Sequence, residues 1–390
     1  MKLIIERAAL LKALSHVQSV VERRTTIPIL SNVLLRAEGK PAGGSQGALS
    51  LSATDMDLEI VERVPGQIER EGRATAPAHT LYDIVRKLPD GAQIEVEAGG
   101  GGNALVLRSG RSTFTLAALP PEDYPLMTGG DYPHNFSLPA AELKSLIDRT
   151  RFAISTEETR YYLNGIYLHA TKNDEVPVIR AVATDGHRLA RVEMVLPEGA
   201  AGMPGVIVPR KTILELRKLV EESEAEVQIA LSPTKIRFAI PGDVAGGSSV
   251  ATEATLTSKL IDGTFPDYDR VIPRDNDKVL EVVCKDFAEA VDRVSTISTE
   301  KSRAVKLAIE RGSLTLSATS PENGTAVEEL EVRYAASPIE IGFNSRYLLD
   351  ITEQIAGGGA QFVMSDAASP TIVRDSADAS ALYVLMPMRV

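Results

Sequence analysis

Thr184-Asp185-Gly186-His187 sets a carboxylate two residues from an imidazole, the pairing a general acid–base centre needs. Asp55, Asp57 and Glu59 set three carboxylates at alternate positions, a ligand type that suits hard cations. Gly99–Gly102 is a glycine run of the kind that wraps phosphate, and Cys284 is the one thiol. Each pattern lacks what its chemistry requires. The counterpart of the Thr184 segment elsewhere in the chain, Thr54-Asp55-Met56-Asp57, has no histidine, and Thr319-Ser320-Pro321 has neither group. A shared turn explains all three better than a catalytic site does. The alternating acids fit one face of a strand and miss the calcium-loop pattern. The glycine run is not followed by Lys and Ser or Thr at a helix start. The five histidines show no metal-ligand spacing. Cys284 lies in an apolar stretch and reads as a core residue of a strand. These absences point away from an enzyme and imply no catalytic residue, no metal and no cofactor.

A length of 390 residues allows two or three domains, and 44% hydrophobic with 24% charged residues is ordinary for a globular protein. No apolar run approaches the ~18 residues of a membrane span. The opening Met1-Lys2-Leu3-Ile4-Ile5-Glu6-Arg7 does not read as a signal peptide, so the expectation is a cytoplasmic protein without a membrane partner. A single cysteine leaves no disulfide framework. The net charge of −11, taken as a sum, argues against a nucleic-acid partner.

Internal repetition is the most informative feature. Leu49-Ser50-Leu51-Ser52-Ala53-Thr54-Asp55 recurs as Ile179–Asp185 and again as Leu314–Ser320. The flanks agree in order. Upstream lie a strand and then a helix: Lys2–Arg7 before Leu10, Leu14 and Val17; Asn135–Leu138 before Leu143, Leu146 and Ile147; Val279–Cys284 before Phe287, Val291 and Val294. Downstream, Pro77, Pro209 and Asn344 lead into helices carrying Leu81 and Val85, Ile213 and Leu216, and Leu348 and Ile351. Each unit reads β-α-β…β-α-β-β, an α+β fold with an antiparallel sheet and two amphipathic helices on one face. The boundaries are drawn at 1–127, 128–273 and 274–390, with linkers near Pro125–Asn135 and Pro273–Lys278. Gly39–Gly47, Gly99–Asn103 and Gly242–Ser249 read as surface turns.

Charge is unevenly distributed. The expected helices Arg7–Arg24, Thr80–Pro89, Ala140–Arg151, Arg210–Val220, Lys285–Arg303 and Arg346–Gln354 hold 18 Lys and Arg against 11 Asp and Glu. They are basic, and the strands and loops carry the acid. A sheltered basic surface fits this pattern better than an open one.

The chain resembles the bacterial DNA polymerase III beta subunit, the replication sliding clamp. The resemblance runs from end to end through Thr26-Ile27-Pro28-Ile29-Leu30-Ser31-Asn32, Arg160-Tyr161-Tyr162-Leu163-Asn164-Gly165 and Ala183-Thr184-Asp185-Gly186-His187-Arg188-Leu189-Ala190. It continues through Phe265-Pro266-Asp267-Tyr268 and Tyr383-Val384-Leu385-Met386-Pro387-Met388-Arg389-Val390. It implies the DNA clamp fold: three repeated clamp domains with antiparallel sheets outside and helices lining a ring. A head-to-tail homodimer would bring twelve helices ~9 Å apart onto a circle roughly 35 Å across, wide enough for duplex DNA. The partners implied are sequence-independent double-stranded DNA, the DNA polymerase III alpha subunit, an ATP-driven clamp loader, and other proteins carrying a clamp-binding peptide motif. The function implied is processivity by tethering, with no catalysis.

The resemblance also assigns residues. Its peptide-binding pocket would be Leu163, Thr184, Gly186, His187, Arg188, Leu189, Pro266, Arg270, Val271, Asn344, Tyr347, Val384, Met386, Pro387, Met388 and Arg389. DNA would meet Arg24 at the end of the first helix, Arg160, Tyr161 and Tyr162 in a loop, and Arg210 and Lys211 at a helix start. The family tends to have a basic residue where His79 stands, which is a departure. For the dimer, an edge strand Arg108–Leu116 would pair with a strand of the other subunit's third repeat. Phe114 and Leu116 would meet Ile297, and Arg108 or Arg111 would face Glu322 and Glu328.

Overall fold

The computed structural model describes residues 1–39, 47–99, 104–127, 129–221, 223–242, 252–298 and 303–389. The turns expected at Gly39–Gly47, Gly99–Asn103 and Gly242–Ser249 lie mostly outside these residues. So do residues 299–302 of the helix expected over Lys285–Arg303.

Alternation and helical spacing set the elements. In β1 (Lys2–Glu6) Leu3 and Ile5 are buried and their neighbours are not. Glu6 then caps α1 (Arg7–Val17) by accepting the Ala9 N–H at 3.1 Å, and Leu10, Ala13, Leu14 and Val17 form its buried stripe. The first repeat continues with β2 (Asn32–Glu38), β3 (Gly47–Thr54), β4 (Leu58–Arg70), β5 (Gly72–Pro77), α2 (Ala78–Lys87), β6 (Gln93–Ala98), β7 (Ala104–Ser109) and β8 (Ser112–Ala117). The second holds β9 (His134–Pro139), α3 (Ala140–Arg151), β10 (Gly165–Asn173), β11 (Val176–Thr184), β12 (Arg188–Val195), β13 (Val206–Pro209), α4 (Arg210–Leu219), β14 (Glu226–Leu231), β15 (Lys235–Pro241) and β16 (Glu253–Lys259). The third holds β17 (Lys278–Val283), α5 (Cys284–Ser295), β18 (Ala304–Glu310), β19 (Ser313–Ser320), β20 (Gly324–Glu331), β21 (Ile339–Asn344), α6 (Ser345–Thr352), β22 (Gly359–Met364), β23 (Thr371–Asp375) and β24 (Ala381–Leu385). Each repeat therefore runs β-α-β-β-β twice, a halving that the residue matches between repeats did not reveal.

The shared turn is real at the level of hydrogen bonds. Thr54 Oγ1 donates to Leu58 O at 2.8 Å, and Thr184 Oγ1 donates to Arg188 O at 2.7 Å. Asp55 Oδ1 accepts from the backbone of Asp57 and Leu58, as Asp185 Oδ1 does from His187 and Arg188. These carboxylates are spent on shaping a turn.

By tertiary contact the chain forms two compact units. The first comprises Met1–Lys144, Pro197–Met203 and Lys211–Leu260; the second comprises Ser145–Leu196, Pro204–Arg210 and Ile261–Val390. Strands of the middle repeat contribute to both. The first unit holds a 12-stranded antiparallel sheet of path β8-β7-β6-β1-β4-β16-β15-β14-β9, with β2, β3 and β5 branching from β4. The second holds an eight-stranded sheet, β13-β10-β11-β12-β24-β23-β22-β17, and a four-stranded one, β20-β19-β18-β21. Repeats share strands: β16 pairs with β4 from Glu253↔Arg63 to Ser258↔Leu58, and β24 pairs with β12 from Leu385↔Arg188 to Ala381↔Val192. In the first unit α1 packs on β4 and α2; in the second α5 packs on α6, β19 and β20.

Three local expectations are corrected. The first helix ends at Val17, because Ser19, Val20 and Val21 bond three residues back and tighten the chain into turns; Arg24 therefore stands on an exposed loop outside the helix. The expected edge strand Arg108–Leu116 is a hairpin. It turns at Gly110, whose φ of +58° is the left-handed region glycine favours. Cys284 opens α5 and does not belong to a strand. It is buried with its thiol donating to Thr352 O at 3.4 Å, and burial pushes that thiol's pKa up.

Glu59 is buried on β4 and accepts the Met127 N–H at 3.2 Å. Burial pushes its carboxyl up, against the pull of that N–H, Arg237 and Lys235. A folded-state pKa above the unfolded one means the ionised form costs stability, and the cost fades as pH falls through the folded value. Glu59→Gln is expected to raise the melting temperature at pH 8 by a few degrees at most, with the gain shrinking in acid. Calorimetry across pH checks this, and a lower melting temperature at pH 8 would show that attraction to Arg237 and Lys235 dominates.

Candidate functional site

The second unit gathers the residues matched to the pocket. Leu163 ends a 3-10 turn, Glu158–Leu163; Thr184–Leu189 form the β11–β12 turn; Pro266–Val271 hold a second 3-10 turn, Tyr268–Arg270; and Val384–Arg389 run from β24 into the tail. Leu163, Leu189 and Val384 are buried in one cluster with Val182, Ile207, Phe265 and Tyr268. They make a floor. Gly186, His187, Pro266, Arg270, Val271, Met386 and Arg389 stand exposed around it, while Thr184, Asn344, Tyr347, Pro387 and Met388 are half-buried.

The tail is fixed by its backbone. Met386 N–H donates to His187 O at 2.9 Å, and Met388 N–H to Gly342 O at 2.8 Å. Met386 thus presents an exposed, flexible thioether from an anchored main chain, a combination that suits apolar side chains of differing shape.

Arg188 ties the turn to α6. It is buried, pairs with Asp185 and Asp350, and donates to Phe152 O at 2.6 Å. Its guanidinium lies 4.2 Å from the Tyr347 ring centroid, and His187 stacks on the same ring at 6.4 Å. Asn344 caps α6 by accepting the Arg346 N–H at 3.0 Å. With Asp185 committed to the turn and to Arg188, and His187 stacked on Tyr347, the two side chains form no acid–base pair. Among the described residues, no three of His, Cys, Asp and Glu are grouped to hold a metal.

The motif match did not single out Phe265 and Tyr268 as floor residues, although Phe265-Pro266-Asp267-Tyr268 flanks Pro266 with two rings. It also missed what holds Tyr268. The Tyr268 hydroxyl lies 2.9 Å from His169 Nε2 and 3.3 Å from Arg180 Nη1, and Arg180 Nε donates to Glu193 Oε2 at 2.6 Å. Burial keeps the His169 imidazole below its ordinary pKa, so it serves as a neutral hydrogen-bonding partner. No sequence spacing links these four residues.

The residues matched to DNA lie on several elements. Arg24 and Arg210 are exposed, and Tyr161 meets Tyr162 edge-on at 5.8 Å. Lys211 pairs with Asp55 on the shared turn of the first unit. Arg160 pairs with Glu157, and its Nη1 lies 2.6 Å from the point where a Cβ on Gly186 would sit, so it leans over the pocket's turn. His79 has both ring nitrogens engaged, Nδ1 with Gln18 Oε1 at 2.8 Å and Nε2 with Val21 O at 3.0 Å. It stitches α2 to the end of α1.

For the dimer residues, the hairpin changes the picture. Arg108 sits on β7, tied to Glu95 and Glu97 of its own sheet, and Arg111 is at the turn. Phe114 and Leu116 are on β8, with Leu116 buried in its own core. Glu328 pairs with Arg293, Ile297 is half-buried, and Glu322 is exposed.

Helical charge follows the sequence count in sign. The six described α-helices hold 14 Lys and Arg against 8 Asp and Glu, with the excess concentrated in α4. No helix among the described residues is long and apolar enough to cross a membrane.

Comparison with known proteins fits this geometry. Family models match in sequence: DNA polymerase III beta subunit N-terminal domain over 1–128, central domain over 137–267 and C-terminal domain over 269–389. The beta sliding clamp of Caulobacter vibrioides is 57% identical over 390 residues, with both chains fully covered. That of Escherichia coli K12 is 38% identical over 391 residues, again with full coverage of both. The crystal structure of the C. crescentus beta sliding clamp with polyethylene glycol bound superposes with a TM-score of 0.92 at 57% identity, covering 100% of this chain and 99% of that one. A clamp from Bartonella birtlesii bound to griselimycin gives a TM-score of 0.92 at 51% identity, covering all of both chains. Three domain models in order, full-length identity and a shared fold agree: the chain belongs to the DNA polymerase III beta subunit family, the beta sliding clamps.

Proposed function

We propose that two copies of this chain close head to tail around duplex DNA, and that partner proteins ride on the ring through a short peptide seated at the C-terminal tail. The chain is a DNA sliding clamp of the polymerase III type, a processivity factor without catalytic activity of its own. We place its clamp domains at 1–127, 128–273 and 274–390; the three family models run over 1–128, 137–267 and 269–389, so the second boundary lies a few residues beyond the start of the third model. The observation that carries the peptide reading is the anchored tail, which presents Met386, together with exposed Val271 after the Tyr268–Arg270 turn and an apolar floor in the same unit. Apolar anchors in such a setting supply most of the affinity of peptide interfaces. The polymerase alpha subunit and the clamp loader are the first partners to test.

Dimer closure uses free sheet edges. β8 ends the 12-stranded sheet and β20 ends the four-stranded one, and Val327 on β20 is exposed. Unpaired edges template strand addition, and a head-to-tail interface that closes gives a ring. DNA would be held by phosphate contacts without base readout, through Arg24, Arg160, Tyr161, Tyr162, Arg210 and Lys211, which permits sliding.

The decisive experiment loads the protein onto nicked circular duplex with its loader and ATP, isolates the complex by gel filtration, and then cuts the circle. Retention on the circle and loss from the linear form is the expected result. Equal retention on both forms would mean that contact alone holds the protein, and encirclement would be abandoned.

A further inference from the structure

We infer that the first unit carries a second docking cradle, the repeat counterpart of the tail pocket, for a short peptide with apolar anchors and lysine or arginine side chains. It takes its template from the pocket reading, but its residues are its own. The correspondence extends beyond the shared turn. Lys259 N–H donates to Asp57 O at 2.8 Å, the counterpart of the Met386 N–H bond to His187 O. Leu58 pairs with Ser258 as Arg188 pairs with Leu385. Buried Leu30 lies in the 3-10 turn Pro28–Ser31, as buried Leu163 lies in Glu158–Leu163. Tyr124 follows the 3-10 turn Pro121–Asp123, and its buried hydroxyl donates to the carbonyls of the first repeat's own sheet.

The surface of this cradle is apolar where the rest of the unit is not. Among the described residues of the first unit, the exposed large hydrophobic side chains are Ile27 at 44%, Met56 at 46% and Leu126 at 42%. All three fall on cradle segments. Ile27 precedes Leu30 as Arg160 precedes Leu163, Met56 is the counterpart of Gly186, and Leu126 follows Tyr124 as Arg270 follows Tyr268. Met56 has a φ of +76°, in the region that Gly186 occupies at +88°. An L side chain there costs on the order of 1 kcal/mol, and no burial offsets it. A methionine held in this conformation and left in water is explained by something that binds it.

Charge selects the occupant. The tail pocket's segments carry Arg160, Arg188, Arg270 and Arg389 with His187, balanced by Glu158, Asp185, Asp267 and Asp269. The cradle's counterparts are Ile27, Leu58 and Leu126, together with Asp55, Asp57, Glu122 and Asp123 against Lys211 and Lys259, which pair with Asp55 and Asp57 and leave Glu122 and Asp123 as the acidic excess. Beneath them, at the position of Leu189, stands the carboxylate of Glu59. Apolar anchors inside an acidic rim fit a cationic peptide and repel an anionic one.

Methionine-methyl NMR on the full chain reads both places, through Met56 in the cradle and Met386 in the pocket. The probes are two capped peptides with the same leucine and phenylalanine anchors, one carrying lysines and the other aspartates. The lysine peptide is expected to shift the Met56 methyl and to bind Met56→Gly/Leu126→Ser about tenfold more weakly by calorimetry. The aspartate peptide is expected to shift Met386 and to bind that variant unchanged, which also reports its folding. A silent Met56 with a responsive Met386 overturns the cradle and leaves the pocket standing. A silent Met386 with a responsive Met56 does the reverse. Equal affinity of the lysine peptide for the variant overturns the cradle. So does a Met56 shift that follows protein concentration without peptide, since that marks the patch as a self-association surface.

Discussion

Replacing Phe114 by aspartate is expected to raise the dimer dissociation constant by about two to three orders of magnitude and to abolish retention on circular DNA. Phe114 is half-buried on β8, with exposed Thr113 and Thr115 on either side, and among the described residues β8 has no strand on its outer edge. If β8 receives the partner subunit's strand, that ring becomes a central apolar contact of the interface. Truncating such an anchor costs ~2 to 4 kcal/mol, and an unpaired carboxylate adds a desolvation penalty. The fold should survive, because the β8 side chain that closes the core is Leu116. Sedimentation equilibrium reads the dissociation constant, and gel filtration of loaded circles reads retention. A variant that stays dimeric at nanomolar concentration would remove β8 from the interface. One that becomes monomeric yet stays on circles would remove encirclement.

Arg188→Ala carries the largest expected loss of stability. The guanidinium is buried between two carboxylates, Asp185 and Asp350, and the ring of Tyr347, and it also bonds the Phe152 carbonyl. Removing one member of a buried charge network leaves the others uncompensated, at a cost of about 3 kcal/mol. For a unit of this size that corresponds to roughly 6–12 °C in melting temperature. Because Arg188 joins the β11–β12 turn to α6, partner-peptide affinity should fall by about tenfold as well. Arg188→Lys keeps the charge but not the planar fork, so it should recover less than half of either loss. Calorimetry and peptide titration check both effects. A shift below about 2 °C would show that water replaces the guanidinium without penalty.

Much of the candidate site's framework was legible for a specific reason. The turn at Thr184 needs a hydroxyl, a carboxylate and a left-handed position in fixed order, so its residues repeat visibly at Thr54. Strand and helix starts were readable from alternation and from the prolines and asparagine before α2, α4 and α6. The end of α1 was not. Val20 and Val21 are buried like helix residues, yet they sit on tight turns, and periodicity cannot separate the two. The hairpin at Gly110 was missed because apolar alternation on both sides of one glycine also reads as a single long strand. The network of His169, Arg180, Glu193 and Tyr268 joins residues up to 99 positions apart, and no local pattern announces it.

By itself the sequence determined the repeat count, the α+β class, the absence of catalytic spacing, the basic bias of the helices and the family. All of these are written in short-range order or in motifs whose residues are neighbours. Tertiary structure alone decided that strands of the middle repeat complete the sheets of both compact units, because pairing partners such as Arg188 and Leu385 are set by register across the chain. It decided that Leu163, Leu189 and Val384 form a floor while Met386 stands above it, since burial depends on what packs from elsewhere. It also decided that Met56 is exposed at a positive φ, which a string of residue types cannot state.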